Sequence, residues 1–198
     1  LGHMAKRGPL PPVAVNLSVA QLAREDLAET VADVLLRFGL PASRLKLEVT
    51  ESVVMKDTRR AIATLKKLKA LGVSISLDDF GTGYSALSYL RSFQWDELKI
   101  DRSFVRSLDT DRHSLSIVTS ILELAARLDI GVTVEGVETE QQVTLLTSAG
   151  CRVAQGFLFG APVPASDLAA VLARGCRPDG GVGNPASQTV VTPVRGLV

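Results

Sequence analysis

The stretch VSISLDDFGTGYSALSYL, residues 73–90, decides how this chain is read. Val73–Leu77 is a β-branched apolar run and predicts a strand. The acid pair Asp78-Asp79 follows it, a glycine turn comes next (Phe80, Gly81, Thr82, Gly83), and Ser85–Leu90 predicts a short helix. A strand that delivers carboxylates into a glycine turn and then a helix is one β/α unit with polar groups at its carboxyl end. No Gly-Lys-Ser/Thr follows the glycines, so the turn is not a P-loop.

Working outward, the same order recurs. Further strands are predicted over Val13–Leu17, Leu45–Thr50, Glu97–Ile100, Gly131–Val134 and Arg152–Ala154. Between them lie helix candidates with apolar residues at three- and four-residue spacing. These are Ala20–Phe38, whose apolar face is Leu27, Val31, Val34, Leu35 and Phe38, then Thr58–Leu71, Ser114–Leu128, Glu140–Ala149 and Ser166–Ala173. Gly39 and Gly72 end the first two, and Asp57 and Ser166 with Asp167 are start signals. Alternating β and α with apolar strands indicates a parallel sheet covered by helices. Six units are present where a complete (β/α)8 barrel has eight, so the pattern fits a smaller open sheet or a barrel lacking two units.

Composition excludes other classes. Lys and Arg number 22 against 21 acids, a net charge of +1 that gives no electrostatic reason to bind DNA or an anionic membrane. No apolar run reaches the roughly 20 residues of a spanning helix. Cys151 and Cys176 are too few for a disulfide framework and fit a reducing, cytoplasmic setting, with membrane tethering of a larger parent left open. Residues 1–4 read as a tag remnant, 5–175 as the α/β domain, and the Gly- and Pro-rich 176–198 as a disordered tail.

The polar residues favour the barrel. Asn16 ends the first strand, Glu48 and Glu51 the second, Asp78 and Asp79 the third, Lys99 and Asp101 the fourth, Glu135 and Glu138 the fifth, and Gln155 the sixth. In a parallel sheet these ends share one rim, and a barrel makes them converge. Lys99 cannot balance seven acids, whereas a pair of hard divalent cations can. Asp, Glu and Asn oxygens suit Mg²⁺ or Mn²⁺ better than zinc. Two carboxylate-bridged metals suggest phosphoester hydrolysis. Phe80, Phe157 and Phe159 are either core residues or platforms for a base.

At these residues the sequence resembles the EAL domain, the cyclic di-GMP-specific phosphodiesterase family. The matching stretches are VAVNLS (13–18), LEVTES (47–52), DDFGTGYSALSYL (78–90), LKIDRSFV (98–105), VEGVET (134–139) and QGFLFGAPVP (155–164), in the family's order. The resemblance implies a TIM-type (β/α)8 barrel lacking its first two β/α units, because the Glu-Ala-Leu motif itself is absent and a metal-ligand Glu goes with it. It further implies that Asn16, Glu48 and Asp78 hold one metal and that Asp78, Asp79 and Glu135 surround the second. Glu135 would be general base and Lys99 the catalytic lysine. Glu51 would brace the Asp79–Ser85 loop, which contains Phe80, Gly81, Thr82 and Gly83, over the site, while Asp101, Glu138 and Gln155 would stand on the loop or substrate side. The implied reaction is metal-dependent hydrolysis of cyclic di-GMP to linear pGpG, with Ca²⁺ inhibitory because a larger ion relaxes the two-metal geometry. A homodimer through the barrel, with Ser114–Leu128 as one candidate face, and upstream sensory or GGDEF-type domains in a parent protein are expected partners. The competing expectation is a catalytically silent cyclic di-GMP receptor or scaffold of the same family, and the truncated chain itself is expected to turn over little.

Overall fold

The computed structural model describes residues 12–83 and 90–174. The expectations for the tag remnant, the tail and all but the last residue of the helix at 85–90 lie outside the described residues. Six strands follow one another in chain order across one sheet: β1 (Val13–Asn16), β2 (Leu45–Thr50), β3 (Ser74–Phe80), β4 (Glu97–Ile100), β5 (Gly131–Glu135) and β6 (Val153–Gln155). The pairs β1–β2, β4–β5 and β5–β6 are parallel. Among the described residues no helix is long and apolar enough to cross a membrane. By contacts the chain divides into two compact units, one of residues 12–77 with 83 and 90–96, the other of 78–82 with 97–174.

In the first unit the helices are α1 (Val19–Leu22), α2 (Leu27–Phe38), α3 (Glu51–Lys56) and α4 (Thr58–Ala70). The single helix expected over Ala20–Phe38 is thus two. Ser18 and Gln21 form a capping box that closes one turn ending at Ala23, and the side chains of Arg24 and Asp26 pair across the break at 2.6 Å. The apolar period starts only at Leu27, where α2 begins. Its expected face is also narrower than the spacing suggests: Leu27, Ala28 and Leu35 are buried, but Val34 and Phe38 are 47% and 54% exposed. Gly39 ends α2 at φ 60°, a left-handed cap that favours glycine. The helix α3 went unforeseen because six residues are too few to display a period. Asp57 caps α4 by accepting from the Arg60 N–H. The core holds Leu47, Val49, Leu65, Leu68, Ile75, Leu77 and Trp95, whose ring meets Phe93 edge-on at 4.8 Å. Asp96 ties Trp95's segment to β3, accepting from the Ile75 N–H at 2.8 Å and pairing with Lys69 at 3.0 Å.

The second unit carries α5 (Arg102–Val105), α6 (Arg112–Arg127), α7 (Glu140–Ser148) and α8 (Leu168–Arg174). Asp111 caps α6, which starts at Arg112, two residues ahead of the expected Ser114, and accepts from the His113 N–H. The Ser166 hydroxyl donates to Asp167, and α8 begins after both. Ile100, Val105, Leu108, Val118, Val134, Val137 and Leu146 form this unit's core. One correction matters for chemistry: β3 runs through Phe80, so Asp78 and Asp79 belong to the strand rather than to the turn after it.

Candidate active site

In β4 and β5 the two-residue alternation of a strand puts Glu97 and Lys99 on one face and Thr133 and Glu135 on one face. The register sets Lys99 beside Thr133, and Glu135 is two residues further along. The result is a polar ladder. Its lower rung is the Thr133 hydroxyl donating to the Glu97 carboxylate at 2.6 Å. Its upper rung is the Lys99 ammonium, 2.7 Å from the Glu135 carboxylate and 3.2 Å from that of Asp78. Lys99 keeps only 5% of its side chain exposed. A charge so buried persists only when paired, and here two carboxylates share it.

Asp78, Asp79 and Glu135 each bring a carboxylate oxygen within 4.8 Å of the others. Asp78 also accepts from the Asp79 N–H at 3.1 Å. Asp79 has φ 55°, a left-handed conformation that Asp tolerates better than most side chains, and this turns its carboxylate toward the group. Burial pushes the Asp79 carboxyl above its ordinary range, and the charges of Asp78 and Asp101 push the same way; Lys99 and Arg102 oppose them. Beyond Asp79 the chain turns sharply. The Thr82 hydroxyl donates to the Asp79 carbonyl at 2.8 Å, and Gly81, at φ 94°, faces the Phe104 ring, which would lie 2.9 Å from a Cβ placed there.

The remaining expected residues fall in several places. Phe80 is buried, which makes it a core residue rather than a platform for a base; Phe159 packs against the core, and Phe157 is 69% exposed. Asp101 caps α5, accepting from the Ser103 N–H at 2.9 Å. Burial works to raise its carboxyl, but the hydrogen bonds from Ser103 and Arg102 and the Arg102 charge together hold it below the usual range. Gln155 ends β6 in register with Glu135. Glu138 is exposed, and its N–H donates to Gln142, half of the capping box that starts α7.

In the first unit Asn16 and Glu48 are neighbours across β1 and β2, Asn16 exposed and Glu48 buried. Glu51, also buried, opens α3 with its carboxylate pressed on Gly83, where any Cβ would overlap it. Two features escaped the sequence reading. The Glu97–Thr133 rung was missed although the alternation of Glu97 with Lys99 could have signalled it. Arg102 was given no role, because a single cation beyond a strand end carries no signal in consecutive positions.

A donor set made only of carboxylate oxygens fits a hard divalent cation better than zinc or copper. Comparison with known proteins extends these observations. The family model described as the EAL domain matches residues 1–162. Among curated relatives, the bifunctional diguanylate cyclase/cyclic di-GMP phosphodiesterase MucR of Pseudomonas aeruginosa is 48% identical over 81% of this chain and 24% of its own length. The cyclic di-GMP phosphodiesterase NbdA of the same organism is 43% identical over 79% of this chain and 20% of its own. The chain therefore spans about a quarter or less of these relatives. Of solved structures, the MucR phosphodiesterase in complex with c-di-GMP matches with TM-score 0.75 and 48% identity, over 79% of this chain and 64% of that one. The EAL domain of Mycobacterium smegmatis DcpA matches with TM-score 0.80 and 42% identity, over 84% and 75%. A manganese and cyclic di-GMP complex of Klebsiella pneumoniae BlrP1 matches with TM-score 0.72 and 36% identity, over 76% and 38%. The six-stranded α/β architecture is that of a partial TIM-type barrel.

Proposed function

This chain belongs to the EAL domain family, and from that membership we propose that it takes part in the hydrolysis of cyclic di-GMP to linear pGpG with the help of Mg²⁺ or Mn²⁺. The observation that carries the reading is the convergence of Asp78, Asp79 and Glu135 around one position, with Lys99 bound to two of them. These three carboxylates would hold a divalent ion. Asn16 and Glu48 are the further oxygen donors that the resemblance assigns. When bound, such ions neutralise charge that develops on the phosphoryl oxygens and make water a better nucleophile.

The protein's own groups divide the rest of the work. Water adds at phosphorus, and its proton passes to a Glu135 carboxylate oxygen. One phosphodiester P–O bond breaks, the departing ribose oxygen takes up a proton from solvent, and the ring opens without loss of a nucleotide. Lys99 holds the Glu135 and Asp78 carboxylates at fixed positions through its two ion pairs. It also puts a fixed positive charge where the phosphoryl group gains negative charge, an arrangement that needs no reorganisation at the moment of reaction. Glu51 steadies Gly83 at the far end of the turn. A homodimer is the assembly the resemblance suggests.

The test is an assay of cyclic di-GMP hydrolysis by this chain, with pGpG resolved chromatographically. Slow turnover in Mn²⁺ or Mg²⁺, limited by the metal-ligand Glu that the resemblance implies is absent, that chelation abolishes and Ca²⁺ suppresses is the expected result. Hydrolysis indifferent to chelator refutes metal dependence. Tight binding without turnover makes a receptor the correct reading instead.

A further inference from the structure

We propose that Arg102 is a substrate-binding residue that holds the second, non-scissile phosphate of the cyclic dinucleotide, an inference that rests on the reading above. Two cations act on Asp79, Lys99 and Arg102, and they differ in kind. Lys99 is buried and committed to Asp78 and Glu135. Arg102 is exposed, so its guanidinium can meet an incoming anion.

Its backbone is fixed from two sides. Asp101 caps α5 immediately before it, accepting from the Ser103 N–H. Gly136, the residue after Glu135, lies directly against the Arg102 stem: a Cβ on Gly136 would overlap the Arg102 Cβ and come within 3.2 Å of its Cα. At φ 74° Gly136 also has a backbone that other residues rarely adopt. Glycine next to Glu135 thus serves to let Arg102 stand at the carboxyl end of β5, beside the carboxylates. The space beside Gly136 is filled by the arginine stem.

Helix geometry gives no reason for a cation there, since the first turn of a helix favours acids. The ligand chemistry does. A cyclic dinucleotide carries two phosphodiester anions, and metals and Lys99 answer for only one of them. An exposed guanidinium just outside the carboxylate group offers paired N–H donors in the planar geometry that a phosphate accepts.

The experiment uses this chain in Mn²⁺ with two probes, cyclic di-GMP and bis(4-nitrophenyl) phosphate, which has one phosphodiester and no second anion. Equilibrium binding of cyclic di-GMP in Ca²⁺ is measured alongside. Arg102→Gln is expected to weaken cyclic di-GMP binding about tenfold and to raise KM rather than lower kcat. The ratio of kcat/KM between the two probes should fall about tenfold, and Arg102→Lys should restore part of it. Equal losses on both probes would place Arg102 at the metal-holding carboxylates, and unchanged binding would remove it from recognition; either result overturns the proposal. A wild-type chain that neither binds nor cleaves cyclic di-GMP would instead overturn the functional reading, and this inference with it.

Discussion

Replacing Lys99 by Met tests whether the ammonium is the internal counter-ion of the acidic group. Met keeps the length of the stem and removes the charge. Removing one partner from a buried ion pair costs about 3–5 kcal/mol because the other charge is left unpaired. Here Asp78 and Glu135 retain 13% and 19% of their side-chain exposure, so water reaches them and the lower end, about 3 kcal/mol, is expected. For a chain of this size each kcal/mol moves Tm by about 2–4 °C, which gives a fall of roughly 6–12 °C in chelator. Manganese should then recover more stability in the variant than in the wild type, because the ion enters a group no longer neutralised by lysine. An ion at a hundred times its Kd adds about 2.7 kcal/mol to the folded state. The assay is thermal unfolding followed by far-ultraviolet circular dichroism and by emission of the single tryptophan, Trp95, which is 1% exposed when folded. A fall below about 2 °C in chelator, or equal manganese increments in the two proteins, would refute the counter-ion argument.

Glu135→Gln should lower hydrolysis of cyclic di-GMP by about 10²–10⁴-fold, the usual worth of a general base, while equilibrium binding survives; near-normal turnover would remove Glu135 from that role. Asp79→Asn should raise the Tm of the metal-free protein at neutral pH and abolish its response to manganese. The folded carboxyl titrates above its unfolded value, so its cost to stability develops as pH rises from the ordinary carboxylate range through the raised one. The gain, within about 1 kcal/mol for a partly exposed group, should therefore shrink as pH is lowered through that window, and a gain that grows on acidification would contradict the assignment. Gly156→Ala should lose about 3 kcal/mol, measured by denaturant unfolding. A Cβ there overlaps the Val137 amide N and carbonyl O and sits 2.7 Å from its carbonyl carbon. Val137 cannot retreat without breaking its bonds to Gln155 and Leu158, at 3.0 and 3.1 Å. A loss below 0.5 kcal/mol, about what an unconstrained surface change costs, would show that the turn yields.

The sequence by itself determined the alternation of strand and helix and the placement of acids at the carboxyl ends of the strands. Both are local properties: a two-residue or 3.6-residue apolar period is written in consecutive positions, and so is the polar residue that ends it. The bounds expected for β2 and β4 are the observed ones, Leu45–Thr50 and Glu97–Ile100. Helix Ala20–Phe38 was misjudged because the capping box at Ser18 and Gln21 starts a helix of one turn, too short to show an apolar period of its own. The exposure of Val34 and Phe38 escaped notice because a period says which residues share a face, not how much of that face a neighbour covers.

Only the tertiary structure decided which charges meet. Lys99, Asp78 and Glu135 lie on three strands separated by long crossovers, and pairing register, a property of two distant segments together, brings the lysine within 2.7 Å of one acid and 3.2 Å of the other. The same holds for Gly136 and Arg102, 34 positions apart yet in contact. Consecutive residues specify an element and its apolar face. Hydrogen-bond register between strands specifies the site, and no single stretch of chain contains it.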